Sequence, residues 1–239
     1  MASKYMAQNF DPLISQYSEA LIFGNRSLIN PDTLNDYSKI GVIHLLAISG
    51  LHIGLITGFL YLILGFLKIN EITKYLIVGL LILLYAIITG LNPPVVRATI
   101  MVELLIISRL FNWEIAAHKI IAIVFLLMIL NNPLIIFNIS FQLTFLVTVG
   151  LLYARRLLIS QNYFLTIMKV TLFATFIALP LTINLNYHFN FLTVFANLIL
   201  VPLITLVVLP LLFFNFCFSV IFNITLLSHF ILPLLNLLE

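Results

Sequence analysis

Side chains able to do chemistry are scarce in this sequence, and the few present are grouped. The first group lies in Gly41–Leu55, GVIHLLAISGLHIGL, which sets His44, Ser49 and His52 within nine positions. Ser49 and His52 stand at i, i+3, a helical spacing that lets a hydroxyl reach an imidazole as a nucleophile reaches its base. No third orienting group and no oxyanion hole can be read beside them, so a hydrolytic role is weakly supported. Metal binding is no better placed. His44 and His52 stand at i, i+8, which does not converge on one ion, and no Cys, Asp or Glu lies near. Neither a metal nor a cofactor is expected. What remains is hydrogen bonding, either to neighbouring helices or into a wet cavity, the usual fate of polar groups at membrane depth.

The second group is Asn92–Met101, NPPVVRATIM. Arg97 follows a proline turn and enters an apolar segment, where a charge costs about 2.5–3.5 kcal/mol at mid-span. Near the turn it can snorkel to the interface. Glu103, six positions on, points elsewhere on the same helix and is a poor partner. Arg97 therefore calls for an interface, a partner on another helix or an anionic ligand. Further along, Gln142 in Phe141–Phe145, FQLTF, has two donors and an acceptor to satisfy in a dry setting. Asn197 precedes Pro202 and Pro210, each of which frees a backbone carbonyl and invites a helix kink. His44, Ser49, His52, Arg97, Gln142 and Asn197 are thus the candidate lining of a pathway.

The elements that must position these groups follow from composition. The 239 residues are 63% hydrophobic and 8% charged, with a mean hydropathy of +1.21. A soluble domain carries about 25% charged residues. The solvent for such a chain is a bilayer, and one span needs about 20 apolar residues. The expected fold is all-α: a polytopic transmembrane helical bundle of about 7–8 segments, some short, kinked or re-entrant. Eight apolar runs are read at 42–67, 75–91, 95–110, 115–130, 134–153, 163–185, 191–216 and 219–238. Placed on an ideal helix, Gly50, Gly54 and Gly58 form a small-residue stripe suited to close helix packing. Ser49 and His52 point to roughly the opposite side, with His44 between. Residues 1–40 differ, holding four acids and three bases, and are read as an extracytoplasmic or interfacial segment preceding a membrane domain at 41–239. Within them, Leu13–Phe23 is read as a short amphipathic helix at the membrane surface.

Charge supports this segmentation. Lys68 and Lys74, Arg109 and Lys119, and Arg155, Arg156 and Lys169 fall in alternate loops, seven of the eleven Lys and Arg residues. The intervening turns at 92–94, 131–133 and 186–190 carry none. This is the positive-inside pattern, with the N-terminal region outside. Cys217 is the one cysteine and reads as a small apolar residue in a span. There is no GxxxxGK[ST], no CxxC and no acidic pair for two-metal chemistry.

Taken in order, these stretches resemble the membrane domain of ComEC-type competence proteins. The family's GxxHLLAISGLH segment matches Gly41–His52, and its Pro-turn followed by VVRA matches Pro93–Ala98. Its FQLSF segment with a Gly-Leu-Leu run matches Phe141–Phe145 with Gly150–Leu152. Its NLxxxPxxxxxxxP segment matches Asn197–Leu198 with Pro202 and Pro210. The lead-in Ala20–Ile29 is similar as well. In this chain Thr144 stands where the family has serine, which keeps the hydroxyl. The resemblance implies a multi-pass channel of the bacterial cytoplasmic membrane that passes one strand of transforming DNA inward. It implies as partners single-stranded DNA, a separate cytoplasmic ATPase motor and a DNA-receptor protein on the outer face, within the lipid bilayer, with a homo-oligomer left open. Fuller family members add OB-like and metallo-β-lactamase-like domains. Residues 1–40 are too short for the first and the metal motif of the second is missing, so strand degradation is not expected of this chain.

Moving a polyanion against an inside-negative potential costs about 2.3 kcal/mol per charge per 100 mV. With no P-loop here, that energy must come from a separate motor. Two alternatives stand beside the channel: a secondary transporter for a small anionic or proton-coupled solute, using His44, His52 and Arg97, and an intramembrane hydrolase using Ser49 and His52.

Overall fold

The computed structural model describes residues 2–186, 192–222, 225 and 227–238. The elements run α1 (Ala2–Asn9), α2 (Pro12–Phe23), α3 (Pro31–Ile40), α4 (Gly50–Phe66), α5 (Glu71–Ile88), α6 (Pro93–Leu110), α7 (Ala117–Asn131), α8 (Ile139–Leu158), α9 (Tyr163–Asn186), α10 (Leu192–Pro202), α11 (Leu209–Phe222) and α12 (Ser228–Asn236). Short 3₁₀ turns at Ile43–Leu46 and Pro133–Phe137 precede α4 and α8, and a π turn at Leu203–Val208 joins α10 to α11. No strand occurs among the described residues, as expected of a helical membrane bundle.

Four stretches are long and apolar enough to cross a bilayer: Glu71–Ile88, Ile139–Leu158, Tyr163–Thr182 and Leu192–Val220. Gly50–Phe66 and Ala117–Asn131 are apolar but shorter. α6 has eighteen residues and carries Arg97, Glu103 and Arg109. The last apolar run is split: α11 extends to Phe222, and α12 has nine residues. At 1.5 Å per residue α12 spans about 14 Å, well short of the roughly 30 Å hydrocarbon core.

Local chemistry sets the helix edges. Asn70 and Asn138 cap α5 and α8, accepting from the backbone N–H of Thr73 (2.7 Å) and Phe141 (3.2 Å). These side chains satisfy N–H groups that a helix start leaves open. The turns from α4 to α7 reverse direction through the left-handed residues Lys68, Gly90, Leu91 and Asn112.

The chain forms two compact units, 1–48 with 190–239, and 49–189. In this first unit α2 packs against α11 and α12. It was expected to lie at a surface with one apolar face, but it buries Ile14, Tyr17, Ser18, Glu19, Ala20, Leu21 and Ile22. Its buried residues cover most of the helix circumference because more than one helix lies against it. Hydrogen bonds cross long sequence distances here: Tyr5 Oη donates to the Ser219 carbonyl (2.7 Å) and Tyr37 Oη to the Leu238 carbonyl (3.0 Å). Gly41 ends α3 at φ +81°, and a Cβ there would lie 2.8 Å from Thr193 Oγ1, whose hydroxyl donates to the Ile40 carbonyl (2.6 Å). Left-handed backbone and close approach together require glycine at this point.

The second unit holds α4–α9. α6 is its hub, packed against α4, α5, α7 and α8, while α8 also lies along α9. Between α7 and α8 a core of Ile120, Ile121, Val124, Met128, Phe141 and Phe145 takes in Phe125. The three phenylalanine rings sit 4.6–5.4 Å apart between centroids. Gly150 of α8 faces Ile177 of α9, leaving no room for a β-carbon without displacing that side chain. This packing fixes α8 against α6, and with it the surroundings of Arg97.

Candidate functional site: a buried guanidinium on the hub helix

Arg97 stands in the second turn of α6, just after Pro93–Pro94, whose missing N–H groups fall where a helix start needs none. It does not snorkel: Arg97 is 1% exposed, the largest of the fully buried side chains among the described residues. Its Nη2 donates to Thr144 Oγ1 at 2.6 Å and to Ser140 Oγ at 3.3 Å. Thr144 Oγ1 in turn donates to the Ser140 carbonyl at 2.8 Å, so its lone pair is aimed at the arginine. The remaining guanidinium nitrogens, Nε and Nη1, are buried without a hydrogen-bond acceptor.

The electrostatics of this arrangement favour an anion. The ion pairs among the described residues are Lys39–Asp36 and Lys74–Glu71, neither of which involves Arg97. Ser140 and Thr144 belong to the first two turns of α8, the positive end of that helix dipole. A cation beside a helix N-terminus, solvated by two hydroxyls and holding spare donors, is set up to receive negative charge. Donors of this planar fork match phosphate or carboxylate oxygens.

The FQLTF segment divides its work by helical register. Phe141 and Phe145 enter the core with α7. Ser140 and Thr144, again i, i+4, face Arg97. Gln142 gives one amide hydrogen to the Ile136 carbonyl (2.8 Å) and borders a separate cleft. Ser140 was not singled out from sequence, although the hydroxyl pair at i, i+4 is the signal that would have found it.

Around Gly41–Leu55 the ideal-helix picture fails. The chain runs extended at Ala47 and Ser49 between the 3₁₀ turn and α4, so His44 and His52 do not share one helix. His44 is exposed and belongs to the first unit; Ser49 and His52 begin the second. The cause is capping. Ser49 is the N-cap of α4, and His52 Nδ1 accepts its backbone N–H (3.2 Å) while lying 2.7 Å from Ser49 Oγ. With Nδ1 accepting, the ring proton sits on Nε2, which is buried and has no partner. A Ser–His contact does form, but in the service of the helix start: no group orients Nε2 among the described residues, as a catalytic base would require.

The glycine stripe also divides. A Cβ on Gly50 would touch Ala98 at 3.6 Å, next in sequence to Arg97. Gly54 and Gly58 are exposed with open space beside them, so within this chain close packing is restricted to the first glycine of the stripe. A different glycine is used deeper in the unit, where Gly79 of α5 makes room for the Glu103 carboxylate, whose Oε1 is buried without a partner. Asn197 is buried on α10 in the first unit. Pro202 and Pro210 flank the π turn, where the Thr205 hydroxyl donates to the Val201 carbonyl (2.6 Å). The kink expected there thus takes the form of a widened helical turn.

Comparison with known proteins gives the family. A family model described as Competence protein matches residues 21–239. The chain belongs to the competence protein family. It is 32% identical over 193 residues to ComE operon protein 3 of Bacillus subtilis (strain 168), a stretch covering 80% of this chain and 25% of that protein. It is 27% identical over 132 residues to Recombination protein 2 of Haemophilus influenzae (strain ATCC 51907 / DSM 11121 / KW20 / Rd), covering 52% of this chain and 17% of that one. The aligned regions are therefore a quarter or less of the length of either relative. No solved structure matches. The family match includes Arg97, Ser140 and Thr144 within its bounds.

Proposed function

We propose that this chain forms the membrane-embedded part of a passage that carries single-stranded transforming DNA inward across the bacterial cytoplasmic membrane. One observation carries the reading: Arg97 is fully buried, has no ion-pair partner among the described residues, and keeps two guanidinium nitrogens unoccupied. Leaving buried donors unmet costs about 1–3 kcal/mol, more when charged. An arrangement that tolerates this cost suits an anion that visits and leaves. A DNA strand supplies such an anion at every phosphate. Membership of the competence family supports DNA as the substrate class. His52, through its spare Nε2 donor, is a further candidate lining group, and His44, Ser49, Gln142 and Asn197 are retained as candidates, Ser49 and Gln142 already making hydrogen bonds locally.

The charge pattern of the loops orients the bundle with Lys68, Arg109 and Arg155 facing the cytoplasm. Driving force comes from a separate cytoplasmic ATPase, and a receptor on the outer face delivers the strand. No catalytic step is assigned to the Ser49–His52 pair, whose geometry is accounted for by capping.

The test separates binding from passage. Cells carrying Arg97→Ala should hold DNA at the surface as before and internalise at least tenfold less of it. Normal internalisation, with the variant present in the membrane at wild-type level, would sink the assignment. The same buried cation would serve a transporter of small anions equally well. Liposomes containing only this chain decide between the two: uptake of a small organic anion, lost in Arg97→Ala, would favour the transporter.

A further inference from the structure

A large cleft of about 1170 Å³ opens between α7, α8 and α9, separate from the Arg97 hydroxyl cradle. Its walls are apolar and aromatic, with Phe125, Phe141, Phe145, Phe176 and Ile177 among them, and Gln142 is one of its few polar members. At one end the cleft runs into a second hollow of about 370 Å³ lined by His118, Arg155 and Arg156. The two share His118, Leu152 and Tyr153. The basic end lies where α7 begins and α8 finishes, that is, at one edge of the bundle. From Phe141 to Tyr153 the cleft follows α8 over twelve residue-to-residue steps, about 18 Å at 1.5 Å each.

We infer that this cleft is a binding site for an anionic phospholipid, with its acyl chains along α8 and its phosphate between Arg155 and Arg156. Two observations and one general rule converge on that occupant. The length of the apolar part matches one leaflet, about half of a 30 Å hydrocarbon core. Charge is complementary at one end only, the pattern of an amphiphile. Basic pockets at helix ends recognise anionic headgroups. A nucleic acid strand fits poorly, because its charge repeats along its length while the cleft wall offers cations at a single end. A partner helix fits poorly for a related reason: it would leave Arg155 and Arg156 without a counter-charge unless an acid stood at that one level.

Native mass spectrometry and thermal unfolding of the purified full chain in detergent test the site, with dioleoylphosphatidylglycerol and dioleoylphosphatidylcholine as probes. Wild-type protein should retain the anionic lipid and be stabilised by it more than by the zwitterionic one. The double variant Arg155→Ala/Arg156→Ala should lower that preference roughly thirtyfold, on the scale of about 1 kcal/mol per basic residue near a membrane surface. Ala122→Phe, which fills the cleft wall, should reduce retention of both lipids. Arg109→Ala/Lys169→Ala, outside both hollows, should leave the preference close to that of the wild type. Equal loss in this control pair would show diffuse surface attraction and overturn the site. Unchanged retention in the Arg155/Arg156 variant would overturn it too, even if Ala122→Phe failed to fold. Displacement of the lipid by a 20-nucleotide single strand would give the cleft to nucleic acid instead. The inference stands on the cleft and its charged end alone, so its failure leaves the reading of Arg97 untouched.

Discussion

Charged groups in the second unit are handled in two opposite ways. Where α4 meets α5, Lys74 Nζ lies 2.5 Å from Glu71 Oε1, Tyr61 Oη donates to Glu71 Oε2 at 2.6 Å, and the ammonium sits 5.4 Å from the Tyr61 ring centre. Tyr75 stacks on Tyr61 to complete the group. Every charge there has a counter-charge. On α6 the Arg97 guanidinium is buried and has hydroxyls alone. Glu71 is 59% exposed, so its pairing contributes little net stability, since exposed pairs are worth about 0–1 kcal/mol. The guanidinium is in the opposite position: stability gains nothing obvious from leaving it unneutralised. Neutral solvation of a buried cation points to use, and full pairing at the rim points to anchoring.

The sharpest way to break this contrast is Arg97→Met. Replacing a buried cation that has no counter-charge with an apolar group of similar volume removes the desolvation cost of its unmet donors. We therefore expect Arg97→Met to accumulate in membranes at wild-type level or above while DNA internalisation falls at least tenfold. Uptake that survives would make Arg97 a structural residue. Arg97→Lys comes next. It keeps the charge but loses the planar fork, so internalisation should be intermediate, several-fold below wild type and above Arg97→Met. A smaller effect is expected of Thr144→Val, which removes the stronger of the two acceptors from a buried guanidinium. It should cost about 1–3 kcal/mol in unfolding measured in detergent. Thr144→Ser should restore most of it, since the hydroxyl is what Arg97 uses. The smallest effect belongs to the rim: Glu71→Gln should change stability by less than about 1 kcal/mol and leave internalisation unaltered. A large loss of uptake in Glu71→Gln would erase the distinction between the two regions.

Much of the architecture was legible in advance, for reasons that also explain the misses. The apolar runs 75–91, 95–110 and 163–185 reappear as α5, α6 and α9 with edges moved by four residues or fewer, because a long apolar run between turn signals dictates a helix. From its place after two prolines, Arg97 reads as able to snorkel, to meet a partner on another helix or to hold an anion; its burial excludes the first. Its acceptors were not legible: Ser140 and Thr144 lie 43 and 47 positions away, and no local pattern announces a contact between helices. The break at Ala47–Ser49 was missed because a capping box is ordinarily recognised by Glu or Gln at its third position. Here histidine does the reciprocal bonding. With that break gone unseen, His44 was carried onto a helix it does not share. Gly54 and Gly58 were read as packing from spacing alone, while the fold brings a neighbour to Gly50 and leaves the other two open.

The π turn at Leu203–Val208 carries a consequence for the host membrane. It sits within a 29-residue apolar stretch, Leu192–Val220, about 43 Å long against a hydrocarbon core of about 30 Å. The excess has to be absorbed by tilt, by bending at the turn, or by local thickening of the bilayer. A widened turn next to Pro202 concentrates that compliance in one place. Hydrophobic mismatch is thereby built into this element, and the acyl-chain length of the surrounding lipids becomes a variable that sets its resting posture.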